Sequence, residues 1–204
     1  MSASWRATDA APSRPPSGPH PHPEPLSDTR PLPSQLQQLL QPDWQPEATV
    51  AELPLQHFLE RGIRALVLDV DRTLLPRRGT QLPAAVADWL QRAQAEQLHL
   101  HLFSNNPSRQ RIGSVARQLG VDYTTSAAKP RRGALRRVMA ELAIPPAQVA
   151  IVGDRVFTDV LGGNRLGLYT VLVRPVNPQG QPCPHDRWQR LEVRLARLAG
   201  ADLH

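Results

Sequence analysis

Four short polar stretches of the sequence carry carboxylates, hydroxyls and one ammonium suited to binding a metal ion and a phosphate group. They are Asp69-Val70-Asp71-Arg72-Thr73, Ser104-Asn105-Asn106, Lys129-Pro130, and Gly153-Asp154 with Asp159. One such stretch alone is more often an ordinary polar turn than a catalytic site. Four of them in order, at the ends of predicted strands or the start of a predicted helix, favour one shared site.

The elements that must position these side chains alternate between short apolar runs and longer amphipathic stretches. The predicted strands are 65–68, 98–103, 121–125, 149–152 and 169–173, and the predicted helices are 84–96, 108–119, 133–142 and 158–166. This alternation predicts an α/β fold with three layers, in which right-handed crossovers form a mostly parallel, Rossmann-like sheet. Because ligands bind beyond the carboxyl ends of such strands, the polar stretches are predicted to meet there.

The polar stretches resemble the four motifs of the haloacid-dehalogenase (HAD) superfamily. Asp-x-Asp-x-Thr, then Ser, then Lys, and then Gly-Asp-x-x-x-x-Asp occur in the order that this superfamily uses. Residues 39–44, 66–71 and 153–167 are further similar to the YqeG-type branch of subclass IIIA, and the resemblance covers residues 34–199. That branch includes enzymes that dephosphorylate phosphatidylglycerophosphate to phosphatidylglycerol, so the resemblance implies an HAD fold and that substrate.

The resemblance also implies a magnesium-dependent phosphatase in which Asp69 forms an aspartyl-phosphate. Asp71 would then protonate the leaving oxygen and later activate the hydrolytic water. A carboxylate that attacks a phosphate dianion is repelled by roughly 4 kcal/mol at about 4 Å and an effective dielectric of about 20, which a divalent cation offsets. Since Mg²⁺ prefers hard oxygen ligands, Asp69, the backbone carbonyl of Asp71, and Asp154 are the predicted ligands. Asp159 would support them.

Four residues are predicted to bind the phosphoryl group, namely Thr73, Ser104, Asn105 and Lys129. Hydroxyl donors and an ammonium stabilise the charge of a transferring phosphoryl group. Lys129 is the only lysine among 24 cationic residues. An ammonium is compact and mobile whereas a guanidinium is planar, so the two are not interchangeable. A lysine at this position therefore favours a chemical role over a surface lysine at a helix start.

Arg72 departs from the pattern of the YqeG-type branch, where asparagine is expected. Asparagine could bond locally within the turn, whereas arginine accepts no hydrogen bond. Arg72 would either reach a second phosphate of the substrate or point to solvent. The catalytic carboxylates are intact in both cases, and the identity of the substrate is what the substitution affects.

No lid domain is predicted over the site. The intervals from Thr73 to Ser104 and from Ser104 to Lys129 are each filled by one helix, one strand and their turns. Small-substrate phosphatases need something to exclude water from the site. An open site therefore indicates that the substrate, or the surface that carries it, covers the pocket, and lidless relatives act on macromolecules or lipids or borrow a partner subunit.

Residues 1–33 are rich in proline and are predicted to be a disordered extension, with a transit peptide as the alternative. The hydrolase domain is predicted at 34–200. The lone Cys183 excludes an internal disulfide, and no stretch approaches the roughly 20 apolar residues of a membrane span. The predicted location is the cytoplasm, with peripheral contact on the inner membrane surface.

Two basic surfaces are open to a functional interpretation. Trp188, Leu191, Leu195 and Leu198 recur at helical spacing with Arg187, Arg190, Arg194 and Arg197 between them. This stripe is predicted to pack on the domain, as in ordinary amphipathic helices, and the alternative is that it lies on an anionic membrane. The arginines at 131, 132, 136 and 137 would either hold a headgroup or form a solvated helix face.

Three functions are consistent with the sequence. The first is a lipid phosphatase at a membrane surface, acting on an anionic phospholipid, and the second is the same chemistry on a soluble phosphate ester or phosphoprotein. The net charge of +6 also suits a non-catalytic domain that binds RNA or another partner. An aromatic content of only 4% offers few base-stacking side chains, which argues against nucleic acid.

Overall fold

The computed structural model describes residues 35–183 and 186–203. The predicted extension at 1–33 lies outside the described residues, so the domain boundary stays a prediction. The strands are β1 (Ala65–Leu68), β2 (His99–Phe103), β3 (Asp122–Thr124), β4 (Val149–Gly153) and β5 (Tyr169–Leu172). The helices are α1 (Gln35–Leu40), α2 (Leu55–Glu60), α3 (Ala84–Ala95), α4 (Arg109–Leu119), α5 (Arg132–Leu142), α6 (Leu161–Asn164) and α7 (Arg187–Leu198).

The five strands are parallel and lie in the order β3-β2-β1-β4-β5. In the central strand β1, Leu68 pairs with Leu102 of β2 on one side and with Val152 of β4 on the other. Because of this register, the polar loops that follow β1, β2 and β4 begin side by side at the carboxyl edge of the sheet. The predicted α/β fold with a parallel sheet is confirmed.

Helices cover both faces of the sheet. On one face α3 and α4 pack around Trp89, which is fully buried and whose indole N–H donates to the carbonyl of Leu53 at 2.7 Å. On the other face Leu135 and Val138 of α5 pack with Val67 of β1. All four residues of β1 are buried because both faces are covered, which explains its unbroken apolar run.

The site has no lid in the part of the chain that carries it. The segment from Thr73 to Ser104 contains α3, β2 and connecting loops, and the segment from Ser104 to Lys129 contains α4, β3 and connecting loops. The predicted absence of an inserted domain is confirmed for both intervals. Among the described helices, none is long and apolar enough to cross a membrane.

Helix α7 packs on the domain through a face of mixed polar and small apolar residues, so the predicted packing of its apolar stripe is wrong. Glu192 is 5% exposed and Ala196 is fully buried. The Gln189 side chain donates to the carbonyls of Asp154 and Val173, both at 2.7 Å. These bonds set the rotation of the helix and turn the apolar stripe outward.

Replacing Gly163 by alanine is expected to destabilise the fold by about 1–3 kcal/mol, because the added methyl group overpacks the interface between α6 and the sheet. A Cβ at this position would overlap Ile151 and lie 2.6 Å from the Thr170 methyl carbon. Gly162 is the matched control in the same helix, since the nearest atom to its Cβ would be the Pro130 Cα at 3.9 Å. Urea unfolding of Gly163→Ala and Gly162→Ala measures the difference, and equal midpoints would contradict the close packing of α6.

Candidate active site

Three carboxylates from two loops converge at the carboxyl edge of the sheet. Asp69 follows β1, Asp154 follows β4, and Asp159 lies in the π-helical turn Val156–Val160. One carboxylate oxygen from each lies within 4.8 Å of the others, and all three residues are buried. The first and fourth polar stretches therefore come close enough together to share one ion.

Lys129 lies among these carboxylates. Its ammonium is 2.5 Å from an Asp69 oxygen and 2.7 Å from an Asp159 oxygen, and it also donates to the carbonyl of Phe103 at 3.1 Å. Burial opposes its charge, but Asp159 and Asp69 together raise the pKa of Lys129 above its usual value. Lys129 is therefore an ammonium at neutral pH, and it compensates part of the negative charge of the cluster.

Asn105 holds the backbone of Lys129 on both sides. Its amide oxygen accepts from the Lys129 N–H at 2.7 Å, and its amide nitrogen donates to the Lys129 carbonyl at 3.2 Å. The Asn105 side chain is engaged in this pair of bonds, and its predicted phosphate contact stays a prediction. The geometry gives Asn105 the role of positioning Lys129.

Asp69 is held by two donors. Lys129 donates to Oδ1, and the hydroxyl of Thr73 donates to Oδ2 at 3.1 Å. Thr73 is fully buried and its hydroxyl orients Asp69, and its predicted phosphate contact stays a prediction. Burial raises the pKa of Asp69 to about 6 against the opposing charge of Lys129. At neutral pH most of Asp69 is therefore the carboxylate, the form that a nucleophile requires.

Asp71 lies at the mouth of the cluster, with its side chain 31% exposed. The hydroxyl of Ser104 donates to one of its oxygens at 3.1 Å, and the guanidinium of Arg111 donates to the other at 3.0 Å. Arg111 also donates to the carbonyls of Pro76 and Gly79, which fastens the loop after the first motif. Sequence reasoning missed Arg111, because nothing in its local pattern separates it from the other arginines of the chain.

Asp154 is the carboxylate whose bonding is incomplete. It is 1% exposed, and neither of its oxygens accepts a hydrogen bond from the described residues. Burial first, and then the charges of Asp69 and Asp159, raise the pKa of Asp154 well above its usual range. Burial of a carboxylate without hydrogen bonds is costly unless a cation accompanies it.

Arg72 supplies one such cation, so the alternative in which it points to solvent is wrong, and a contact with a second phosphate stays a prediction. Its Nε lies 3.2 Å from an Asp154 oxygen, and its terminal nitrogen pairs with Asp186, the N-cap residue of α7. The side chain is 18% exposed and lies between the two carboxylates, not in open solvent. Its φ of 76° lies in the left-handed region, which asparagine tolerates better than arginine.

The donor set fits Mg²⁺. Three buried carboxylates offer hard oxygen ligands, and Asp154 has two oxygens that no described residue hydrogen-bonds. Asp69, Asp154 and Asp159 are thus the side chains that could hold a divalent ion. The Asp71 side chain is outside this carboxylate cluster, and the predicted contribution of its backbone carbonyl stays a prediction.

Comparison with known proteins identifies related sequences. Residues 126–176 match the HAD-hydrolase-like family model. The chain is 30% identical over 117 residues to "Probable phosphatase YqeG" from Bacillus subtilis (strain 168), covering 57% of this chain and 67% of that protein. It is 30% identical over 129 residues to "Phosphatidylglycerophosphate phosphatase 1, chloroplastic" from Chlamydomonas reinhardtii, covering 59% of this chain. The match spans 48% of that algal protein, less than half its length.

Proposed function

The chain belongs to the HAD superfamily, in the branch of the YqeG-type phosphatases, and from this premise we propose that it is a Mg²⁺-dependent phosphomonoesterase acting on phosphatidylglycerophosphate. The observation that carries the proposal is the convergence of Asp69, Asp154 and Asp159 within 4.8 Å beside the ammonium of Lys129. A non-catalytic domain has no need of three buried carboxylates around one lysine, since burying charges is costly.

Asp69 is the nucleophile in this proposal. One of its carboxylate oxygens bonds to phosphorus while the bond from phosphorus to the leaving oxygen breaks, which forms an aspartyl-phosphate. Asp71 gives a proton to the leaving oxygen, and its carboxylate then takes a proton from the water that attacks the aspartyl-phosphate. Asp69 is regenerated and inorganic phosphate leaves.

The remaining side chains hold and neutralise the phosphoryl group. Lys129 provides positive charge, and Ser104, which is 3.1 Å from Asp71, provides a hydroxyl donor next to the acid. Thr73 and Asn105 act indirectly, by orienting Asp69 and Lys129. Mg²⁺ held by Asp69, the Asp71 carbonyl and Asp154 would offset the repulsion between the nucleophile and the phosphate dianion.

Two observations support a lipid substrate. The described chain has no lid over its site, so a substrate carried on a surface can reach the carboxylates and cover them. Two relatives, from Chlamydomonas reinhardtii and Arabidopsis thaliana, carry the name phosphatidylglycerophosphate phosphatase 1. We further propose that the protein is cytoplasmic and makes peripheral contact with the inner membrane surface.

Purified protein is expected to release phosphate from phosphatidylglycerophosphate in vesicles when Mg²⁺ is present, and to stop when EDTA removes the ion. Glycerol 3-phosphate and a sugar phosphate are the soluble controls, which present the same ester group without acyl chains. A phosphate-release assay should give the higher kcat/KM for the lipid. Faster turnover of the soluble esters would assign a soluble substrate, and full activity in EDTA would remove the metal from the mechanism.

A further inference from the structure

Helix α7 exposes an apolar stripe to solvent. Its members recur three or four residues apart, so they lie on one side of the helix. They are Trp188, Leu191, Leu195 and Leu198, which are 60%, 46%, 46% and 85% exposed. Single exposed apolar side chains are normal on soluble proteins, whereas four large ones in a row mark an interaction surface.

A row of arginines runs beside this stripe. Each arginine precedes one member of the stripe in sequence, and all are exposed: Arg187, Arg190, Arg194 and Arg197. The acidic residue of the helix, Glu192, is buried against the domain and pairs with Arg155. The outer face of α7 therefore combines apolar and positively charged side chains and carries no acidic one.

The inner face of α7 is bonded to the catalytic loops. Gln189 donates to the carbonyl of Asp154, and Glu192 accepts from Arg155 at 2.8 Å. The N-cap residue Asp186 accepts from the Gln189 N–H at 2.8 Å and pairs with Arg72 of the first motif. These contacts orient α7 relative to the site. Rotating the helix so that the apolar stripe faces inward would break them.

The arginine row also borders a groove of about 410 Å³ between α7 and β5. The members of the row that line it are Arg190, Arg194 and Arg197. Its two acidic residues are already paired, Glu47 with Arg174 and Asp186 with Arg72. The groove therefore presents uncompensated positive charge next to the apolar stripe.

We propose that the outer face of α7 docks on an anionic lipid bilayer, with the apolar stripe entering the boundary of headgroups and acyl chains and the arginine row resting on anionic headgroups. An anionic bilayer supplies an apolar interior for the stripe and negative charge for the arginine row. A second copy of the chain would bring four more arginines and no outer acid, and a nucleic acid would leave the leucines exposed to water. The purpose of docking rests on the proposed lipid substrate, because it would hold the site at the surface where that substrate lies.

The test is co-sedimentation of the full chain with vesicles of phosphatidylcholine containing about 30 mol% phosphatidylglycerol, and with phosphatidylcholine alone. We expect binding to the anionic vesicles that weakens with salt. The variant in which all four stripe residues are replaced by glutamine should bind at least about tenfold more weakly, because it loses the buried apolar area. Leu36→Gln, at another exposed apolar position, is the matched control and should bind like the wild type.

The arginine row has its own test. Arg187→Gln with Arg194→Gln should lower binding to the anionic vesicles and flatten its salt dependence, since each arginine contributes attraction to anionic lipid. Arg92→Gln with Arg117→Gln removes the same charge from exposed positions on α3 and α4 and should leave binding unchanged. Equal losses of vesicle binding in the two double variants would mean that only the net charge of the protein matters, and would overturn the proposed docking face.

Two other results would overturn the proposal. One is a wild-type protein that does not bind the anionic vesicles at low salt. The other is a concentration-dependent dimer that the four glutamines abolish while vesicle binding persists, which would make the stripe a contact between copies. Turnover of a soluble aryl phosphate should be unaffected by the glutamines, so vesicle binding without hydrolysis of phosphatidylglycerophosphate would reject the substrate and leave the docking face in place.

Discussion

Asp69→Asn is expected to lower turnover of an aryl phosphate by at least about a thousandfold, because the amide cannot form the aspartyl-phosphate. Asparagine has nearly the size of aspartate and still accepts a hydrogen bond from Thr73, which donates to this side chain at 3.1 Å. Lys129 keeps its second anionic partner, Asp159. The fold should therefore survive, and the loss should appear in kcat in steady-state kinetics with Mg²⁺.

The control for this change is Asp88→Asn, which removes the same charge from an exposed position on α3 and should leave kcat unchanged. A thermal unfolding scan checks that the Asp69 variant is folded. Substantial activity in folded Asp69→Asn protein would exclude Asp69 as the nucleophile. The remaining cluster would then have to act by positioning a water molecule alone.

The sequence predicts the convergence of the motif residues because parallel topology leaves little freedom at the carboxyl edge. Once β1 and β4 are neighbours in register, Asp69 comes one residue and Asp154 two residues after the paired Leu68 and Val152, so the two must lie close together. A motif that spans separate strands can thus be placed in space from its order alone. The strand and helix types followed in the same way from the alternating apolar pattern.

The hydrogen-bond partners of Thr73 and Asn105 could not be read from the sequence. Their types suit a phosphate contact, but their bonds go to Asp69 and to the Lys129 backbone. A hydroxyl or amide binds the strongest neighbour within reach, and which neighbour that is depends on side-chain directions that spacing does not specify. The sequence therefore predicted that the motif carboxylates converge, but not which side chain or backbone group each polar residue bonds.

The orientation of α7 was mispredicted for a related reason. Apolar periodicity usually marks the buried side of a helix, and on that basis Trp188 and Leu195 should have faced the core. The observed rotation instead places Gln189 and Glu192 in polar contacts with the fourth-motif loop and buries Ala196. Such long-range polar contacts leave no periodic signal, so a helix with an exposed apolar side looks like an ordinary amphipathic helix in sequence.

Lys129→Met is expected to destabilise the protein by about 3–5 kcal/mol, because it leaves Asp69 and Asp159 buried without their shared cation. Arg174→Ala is the contrast, since it breaks an exposed ion pair with Glu47 and should cost at most about 1 kcal/mol. Denaturant unfolding in EDTA measures both. A loss for Lys129→Met no larger than that for Arg174→Ala would mean that the ammonium does not compensate the cluster.

The cost of Lys129→Met should also depend on pH with a definite sign. Burial already holds the pKa of Asp69 near 6, above its usual value of 3.8, so the folded state keeps a proton that the unfolded chain releases. The charge of Lys129 lowers that pKa, so removing Lys129 widens the difference between the folded and unfolded pKa values of Asp69. The free energy of unfolding then falls as pH rises from about 4 through the folded pKa. The deficit relative to wild type should therefore be largest at neutral pH and shrink toward pH 4. Added Mg²⁺ should restore more stability to Lys129→Met than to wild type, because the ion would replace the missing positive charge among the same three carboxylates.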